Sequence, residues 1–102
     1  MGRKFITFAA AVCIALFFAG TSHAGTIKIG AVQPLSGNLA VYGQGFKMAI
    51  DLATAEINSK GGINGKKLEI VYEDGKGTAK DSVAAVQKLI DINKVPLILG
   101  PA

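Results

Sequence analysis

The sequence predicts an α/β domain built on a parallel sheet, and two observations carry that prediction. Strand-like and helix-like apolar segments alternate over residues 25–102 in the order β-α-β-α-β. The connections between them are short and rich in glycine, as in domains whose helices cross back over a sheet. Parallel strands joined by right-handed crossovers are therefore expected.

Residues 1–24 are typical of a secretory signal peptide. A positively charged start precedes an apolar run over residues 5–19, and small residues lead up to Ala24. We predict cleavage between Ala24 and Gly25. The apolar run is shorter than the roughly 20 residues that span a bilayer, so contact with a membrane is expected only through this peptide.

The composition of the remaining residues excludes several classes of function. Nine lysines stand against seven acidic side chains over residues 25–102, a balance too even and too scattered to indicate a nucleic-acid partner. Cys13 and His23 both belong to the predicted signal, which leaves no thiol or imidazole for catalysis or metal binding. Export without disulfides favours a bacterial periplasm, and we expect neither a cofactor nor an enzymatic activity.

The first half of the exported segment predicts a strand and then a helix. Residues 27–32 are apolar enough for a strand, and a helix is expected from Val41 or Tyr42 to about Ser59. Gly61-Gly62 should end it. The predicted buried face of this helix consists of Phe46, Ala49, Ile50, Ala53 and Ile57.

The second half repeats the pattern. A turn over residues 63–66 leads into a second strand over residues 67–72, and a second helix follows to about Asn93. Either Thr78 or the Lys80-Asp81 pair can cap this helix. Its predicted buried face consists of Val83, Val86, Leu89 and Ile90, and residues 95–99 form the predicted third strand.

This order of elements predicts where a ligand would bind. If the second and third strands lie on opposite sides of the first, the two crossovers reverse direction and create a topological switch point. The loop of residues 33–40 and the loop of residues 100–102 then meet at one edge of the sheet. We expect ligand contacts from these two loops, at Leu35, Ser36, Pro101 and Ala102.

Three further features allow more than one interpretation. Tyr42 is either an aromatic staple at the start of a helix or one wall of a small-molecule pocket. Gly43-Gln44-Gly45 suggests a dinucleotide-binding turn, but Met48 stands where a small residue is needed and the loop before it is too long. Glu73-Asp74 suits acid–base or metal chemistry, yet without a histidine a solvated strand end is the favoured interpretation.

Several segments together resemble one known family. The run IGAVQPLSG at residues 29–37, followed by Tyr42-Gly43, and the run AEINSKGGING at residues 55–65 are similar to the leucine/isoleucine/valine-binding proteins. These are the substrate-binding subunits of ABC transporters for branched-chain amino acids. The resemblance implies a type I periplasmic-binding fold, with residues 25–102 as the N-terminal part of its first lobe.

The resemblance also implies a function and a role for one residue. It implies an exported, periplasmic, non-enzymatic solute-binding protein that closes on a small amino acid and delivers it to an inner-membrane ABC permease. A branched-chain amino acid is the default ligand, with amides and aromatic acids left open. An aromatic residue at the position of Tyr42 borders the pocket for the ligand side chain in that family.

The remaining interpretations concern the protein beyond Ala102. The chain is expected to be an N-terminal fragment, since its last predicted strand is of the buried type and no helix follows to cover it. The resemblance implies that the family's other ligand contacts lie at or past Ala102. Such a fragment alone should bind no amino acid measurably and should associate through its third strand. The alternatives are the ligand-binding region of a sensory receptor, an exported α/β enzyme, or a truncated gene product without function.

Overall fold

The computed structural model describes residues 25–102, which form a three-stranded sheet with two helices. The predicted signal peptide, residues 1–24, lies outside the described residues. In chain order, the elements are the strand β1 (Thr26–Gln33), the helix α1 (Ala40–Ser59), the strand β2 (Lys67–Asp74), the helix α2 (Ala79–Asp91) and the strand β3 (Ile98–Leu99).

The sheet has the strand order β2-β1-β3, and both pairs of neighbours are parallel. β1 pairs with β2 along its whole length, from Thr26 beside Lys67 to Gln33 beside Asp74. β3 pairs with β1 on the other side, where Ile98 lies beside Gly30. β2 and β3 thus lie on opposite sides of β1, which confirms the predicted switch point.

The two helices cover opposite faces of the sheet, as expected for reversed crossovers. Val32, Ala85 and Leu89 form the buried core on the α2 face, and Val71 of β2 packs against it. The next residue, Tyr72, points to the other face, where its hydroxyl donates to Asp51 of α1 at 2.6 Å. Successive strand residues point to opposite faces, so the sheet lies between α1 and α2.

The bounds of α1 agree with the sequence prediction, but its buried face does not. The predicted face is wrong for Phe46, Ala49 and Ala53, which are exposed, whereas Ile50 and Ile57 are partly covered. The line that faces the sheet also includes buried Gly43, together with Thr54 and Asn58. Thr54 and Asn58 are polar, so a prediction based on apolar residues alone missed them. The predicted buried face is therefore displaced by about one residue from the observed one.

Asn58 shows why a polar residue lies on that line. Its side-chain amide donates to the carbonyl of Leu68 at 2.9 Å, and its side-chain oxygen accepts from the N–H of Leu68 at 2.8 Å. Leu68 stands near the start of β2, where these bonds fix the end of α1 on the sheet. The packing of α1 therefore combines hydrogen bonds with apolar contacts.

A tight turn joins α1 to β2 at the amino edge of the sheet. The backbone groups of Ile63 and Lys66 exchange hydrogen bonds of 2.8 and 3.0 Å. Asn64 and Gly65 between them have φ values of 52° and 78°. Positive φ at both central positions is the conformation of a type I′ turn, which Asn-Gly favours.

α2 begins after Thr78, one of the two caps that the sequence allowed. The Thr78 hydroxyl oxygen accepts from the N–H of Asp81 at 3.1 Å. The predicted face is wrong for Val83 and Ile90, which remain 58% and 51% exposed. The buried positions of this helix are Ala85 and Leu89, because the helix is rotated so that small Ala85 lies against the sheet.

β3 is shorter than the predicted strand over residues 95–99. The N–H of Val95 donates to the carbonyl of Leu89 at the end of α2, at 3.1 Å, and Pro96 has no N–H to donate. Pairing with β1 begins where the N–H of Gly30 donates to the carbonyl of Leu97 at 2.9 Å. Ladder pairing therefore starts only after Pro96.

Candidate functional site

The candidate site is the sheet edge at which β1 and β3 both end. Continuing their register by one residue places Val32 beside Gly100, directly after β3. Gly100 has a φ of 92°, and a Cβ atom built on it would lie 2.4 Å from the carbonyl oxygen of Val32. Only glycine allows this approach, so the loop after β3 lies close against the end of β1.

The loop after β1 is fixed by a carboxylate from the neighbouring strand. Asp74, the last residue of β2, accepts from the N–H of Leu35 at 2.9 Å and from the hydroxyl of Ser36. The N–H of Lys76 also donates to it, at 2.8 Å. The bonds to Leu35 and Ser36 join residues that are almost forty positions apart, and they hold the loop against the carboxyl end of β2.

Hydrogen bonding also sets the acidity of this carboxyl group. The hydroxyl of Ser36 is the main reason that the pKa of Asp74 lies below its usual value, and the N–H groups of Lys76 and Leu35 lower it further. Partial burial acts in the opposite direction and raises the pKa of Asp74. The interpretation of Glu73-Asp74 as a solvated strand end is thus incomplete, because Asp74 organises the candidate site and Glu73 pairs with Lys88 of α2.

Gly43 brings the start of α1 against the same loop. A Cβ atom at Gly43 would lie 1.8 Å from the carbonyl oxygen of Pro34, so a side chain cannot be placed there. The side-chain amide of Gln44 reaches the carbonyl of Leu35 at 3.3 Å. The first glycine of Gly43-Gln44-Gly45 therefore serves helix–loop packing, whereas Gly45 has nothing within 4 Å of such an atom.

The predicted site residues divide into two groups. Leu35 and Ser36 are brought together by Asp74, and Tyr42 follows them in the first turn of α1 with 65% of its surface exposed. Pro101 instead borders a largely apolar cavity of about 320 Å³ beside α2. The other residues that line this cavity are Ala79, Ser82, Val83, Val86 and Gln87. Ala102, the last described residue, is exposed.

Sequence reasoning missed Gln33 and the role of Asp74. Gln33 is only 4% exposed, although it is polar. The sequence did contain a signal for the burial of Gln33. It lies two residues after Ala31 and four after Ile29, and alternate residues of a strand share one face of the sheet. No local signal identified Asp74, since its partners become neighbours only through the register of β1 and β2.

No helix within residues 25–102 is long and apolar enough to cross a membrane. No three histidine, cysteine, aspartate or glutamate side chains in the same range are grouped as ligands for a metal ion.

Comparison with known proteins places these observations in one family. Residues 26–102 match the profile of a family described as periplasmic binding protein. The Leu/Ile/Val-binding protein of Escherichia coli K12 is 41% identical over 79 residues, which cover 78% of this chain and 22% of that protein. The chain spans about a quarter of the length of the curated relatives that it matches.

Solved structures agree in fold. A branched-chain amino acid transporter substrate-binding protein from Streptococcus pneumoniae, solved with isoleucine, has a TM-score of 0.72 and 40% identity, covering 76% of this chain and 22% of that one. A solute-binding protein of an ABC transporter from Rhodopseudomonas palustris, solved with 3,4-dihydroxybenzoic acid, has a TM-score of 0.62 and 31% identity, covering 72% of this chain and 20% of that one. The sheet and helices described above are thus part of a type I periplasmic-binding lobe.

Proposed function

Because this chain belongs to the periplasmic binding protein family, we propose that residues 25–102 form one wall of the ligand cleft of an exported amino-acid-binding protein. A branched-chain amino acid is the proposed ligand, and an ABC permease is the proposed recipient. The protein acts outside the cytoplasmic membrane and catalyses no reaction. Its mechanism is closure of two lobes, driven by the higher affinity of the closed state for the ligand.

The observation that carries this proposal is the fixed loop at the switch point. Asp74 holds the backbone at Leu35 and the hydroxyl of Ser36, so the loop keeps its shape before a ligand arrives. Gly43 brings α1 close to this loop, and Tyr42 beside it has an exposed ring. A rigid polar loop beside an exposed aromatic ring suits a small ligand that has a charged end and an apolar side chain.

A second candidate ligand class is the aromatic carboxylic acids. The Rhodopseudomonas palustris protein, which was solved with such an acid, is 31% identical to this chain. The exposed ring of Tyr42 could stack on an aromatic ligand as well as border an aliphatic one. The ligand panel of the test therefore includes both classes.

Ligand-dependent stabilisation of the full-length protein tests the proposal. We expect leucine, isoleucine or valine to raise its melting temperature, because a ligand that binds only the folded state stabilises it by mass action. Tyr42→Ala should weaken this affinity about tenfold, because it removes apolar contact area from the wall. Stabilisation by 3,4-dihydroxybenzoic acid alone would favour the second class.

Val41→Ala is the matched control. Val41 precedes Tyr42 in the same turn of α1 and is 82% exposed. This variant should bind like the wild type, whereas an equal loss in both variants would indicate damage to the helix start. Absence of stabilisation by every member of the panel would refute the proposed function.

A further inference from the structure

We propose that Gln33 is a further ligand-contacting residue, whose side-chain oxygen accepts a hydrogen bond from an N–H donor of the bound amino acid. This inference rests on the proposed function and extends it to a residue that begins the predicted loop of residues 33–40 but was not among the predicted ligand contacts. The donor is the ammonium group, which every α-amino acid carries.

The first observation is an unpaired polar atom in a shielded place. Gln33 is 4% exposed, and its Oε1 atom is covered while accepting no hydrogen bond from residues 25–102. Most buried side-chain oxygens in proteins accept at least one bond, because leaving one unpaired costs stability. Within residues 25–102, this oxygen therefore lacks the donor that a buried acceptor needs.

The second observation is its position at the switch point. Gln33 is the last residue of β1, and its side-chain nitrogen lies 3.3 Å from the point where a Cβ atom of Gly100 would stand. The amide group therefore lies between the end of β1 and the loop after β3. This is the crevice in which open α/β sheets bind their ligands.

Asn93 supplies a contrast within the described residues. Its side-chain oxygen is also covered and unpaired. Asn93 stands between α2 and β3, so it lies at the amino edge of the sheet, away from the switch point. Of the two covered unpaired oxygens in residues 25–102, only the one on Gln33 is at the ligand edge.

An ammonium group fits this oxygen chemically. It carries N–H donors and no acceptor, so it must find oxygen acceptors when it leaves water. Because this oxygen is covered in the unliganded structure, the residues over it must shift before the ammonium reaches it. The hydrogen bond gained by the buried oxygen then offsets part of the cost of that shift. Within residues 25–102 this oxygen has no donor, and the proposed ammonium supplies one when the ligand binds.

The test compares Gln33→Met with Asn93→Leu in the full-length protein, with isoleucine as the probe. Methionine has about the length of glutamine but offers no comparable acceptor. We expect Gln33→Met to raise the melting temperature of the free protein while weakening isoleucine binding about ten- to a hundredfold. Asn93→Leu should leave the affinity unchanged. Calorimetric titration measures the affinity, and thermal unfolding without ligand measures the stability.

The two quantities distinguish the possible outcomes. Unchanged affinity in Gln33→Met would overturn this inference and leave the proposed function intact. A fall in both stability and affinity would also overturn it, because Gln33 would then have a structural partner. Wild-type protein that binds neither isoleucine nor any other ligand of the panel would refute the proposed function, and this inference with it.

Discussion

Gly43 is the residue at which the loop and α1 approach most closely. A Cβ atom would stand 1.8 Å from the Pro34 oxygen, and backbone atoms cannot rotate away as a flexible side chain can. We expect Gly43→Ala to destabilise the protein by about 3 kcal/mol, at the upper end of the usual cost of overpacking. Urea denaturation of the full-length protein measures this change.

Gly45→Ala is its control, two positions further along the same helix. Nothing lies within 4 Å of a Cβ atom at Gly45. Alanine should stabilise the helix here by about 0.5–1 kcal/mol, since glycine loses more backbone entropy on folding. Equal destabilisation by both variants would contradict the role assigned to Gly43.

Asp74 should make the loop sensitive to acid. Its pKa in the folded protein is lowered, chiefly by the hydroxyl of Ser36, so its bonds stabilise the fold above the ordinary carboxyl pKa of about 4. That contribution is lost as the pH falls through the lower folded-state pKa. Melting temperatures measured from pH 7 to about pH 2.5 should therefore fall less steeply in Asp74→Asn than in the wild type.

Ser36→Ala separates the contributions to this acid sensitivity. It removes the hydroxyl and keeps the bonds from the N–H groups of Leu35 and Lys76. Its dependence on pH should lie between those of the wild type and Asp74→Asn. Parallel curves for all three proteins would show that Asp74 does not carry the effect.

At the scale of the element, α1 is tied to β2 by a small polar network. The hydroxyl of Tyr72 donates to Asp51, and the ammonium of Lys47 contacts both Asp51, at 2.8 Å, and the face of the Tyr72 ring, at 4.7 Å. The bonds from Lys47 and Tyr72 hold the pKa of Asp51 below its usual value. Burial, and then the bond to Asp51, raise the pKa of Tyr72 far above its ordinary range.

Tyr72→Phe should lower the melting temperature by a few degrees at neutral pH, because it keeps the ring and removes the bond to Asp51. The raised pKa of Tyr72 makes the wild type lose stability above about pH 10, where the unfolded chain ionises and the folded one keeps its proton. The variant should lose less over that interval. Tyr42→Phe, which changes the exposed tyrosine, should match the wild type in thermal scans.

The elements themselves were largely predictable from the sequence. Local signals placed the end of α1 at Gly61-Gly62 and gave Thr78 as one of two possible caps of α2, because glycine and threonine act on their immediate neighbours. The helix faces were less predictable. Asn58 turns toward the sheet to bond Leu68, and small Ala85 packs against it where a larger apolar residue was expected; both contacts depend on how the elements pack.

The sequence predicted the location of the candidate site but only some of the residues that form it. The order of elements located the switch point, and Leu35 and Ser36 do lie at that edge. The anchor of their loop, Asp74, depends on a register that no local pattern specifies. Ligand contact by Leu35, Ser36, Tyr42, Pro101 and Ala102 stays a prediction.

At the scale of the whole molecule, β3 is one of the two edge strands of the sheet that residues 25–102 form, and β2 is the other. Leu97 and Leu99 are 54% and 38% exposed at the β3 edge. An exposed apolar edge is a template for pairing with another chain. We expect residues 25–102, produced as a separate polypeptide, to form oligomers as concentration rises, as measured by light scattering.

Leu97→Lys should reduce this association, because a charge on the edge disfavours pairing. Leu52→Lys is the control, since Leu52 is 72% exposed on α1 and away from the edge. A wild-type polypeptide that stays monomeric at all concentrations would refute the prediction.

The two ends of the sheet also provide separate positions for optical reporters. Residues 25–102 contain no cysteine, so an introduced thiol would be the sole dye attachment point in this segment. A dye at Asn38→Cys, on the exposed loop after β1, would sense changes at the ligand edge, whereas one at Lys66→Cys, beside the Asn64-Gly65 turn, would serve as its reference. Because the strands are parallel, the loop after β1 and the turn before β2 lie at opposite ends of the sheet. A dye at the first position therefore reports on the ligand edge, and a dye at the second, in a separate variant, reports on the end away from it.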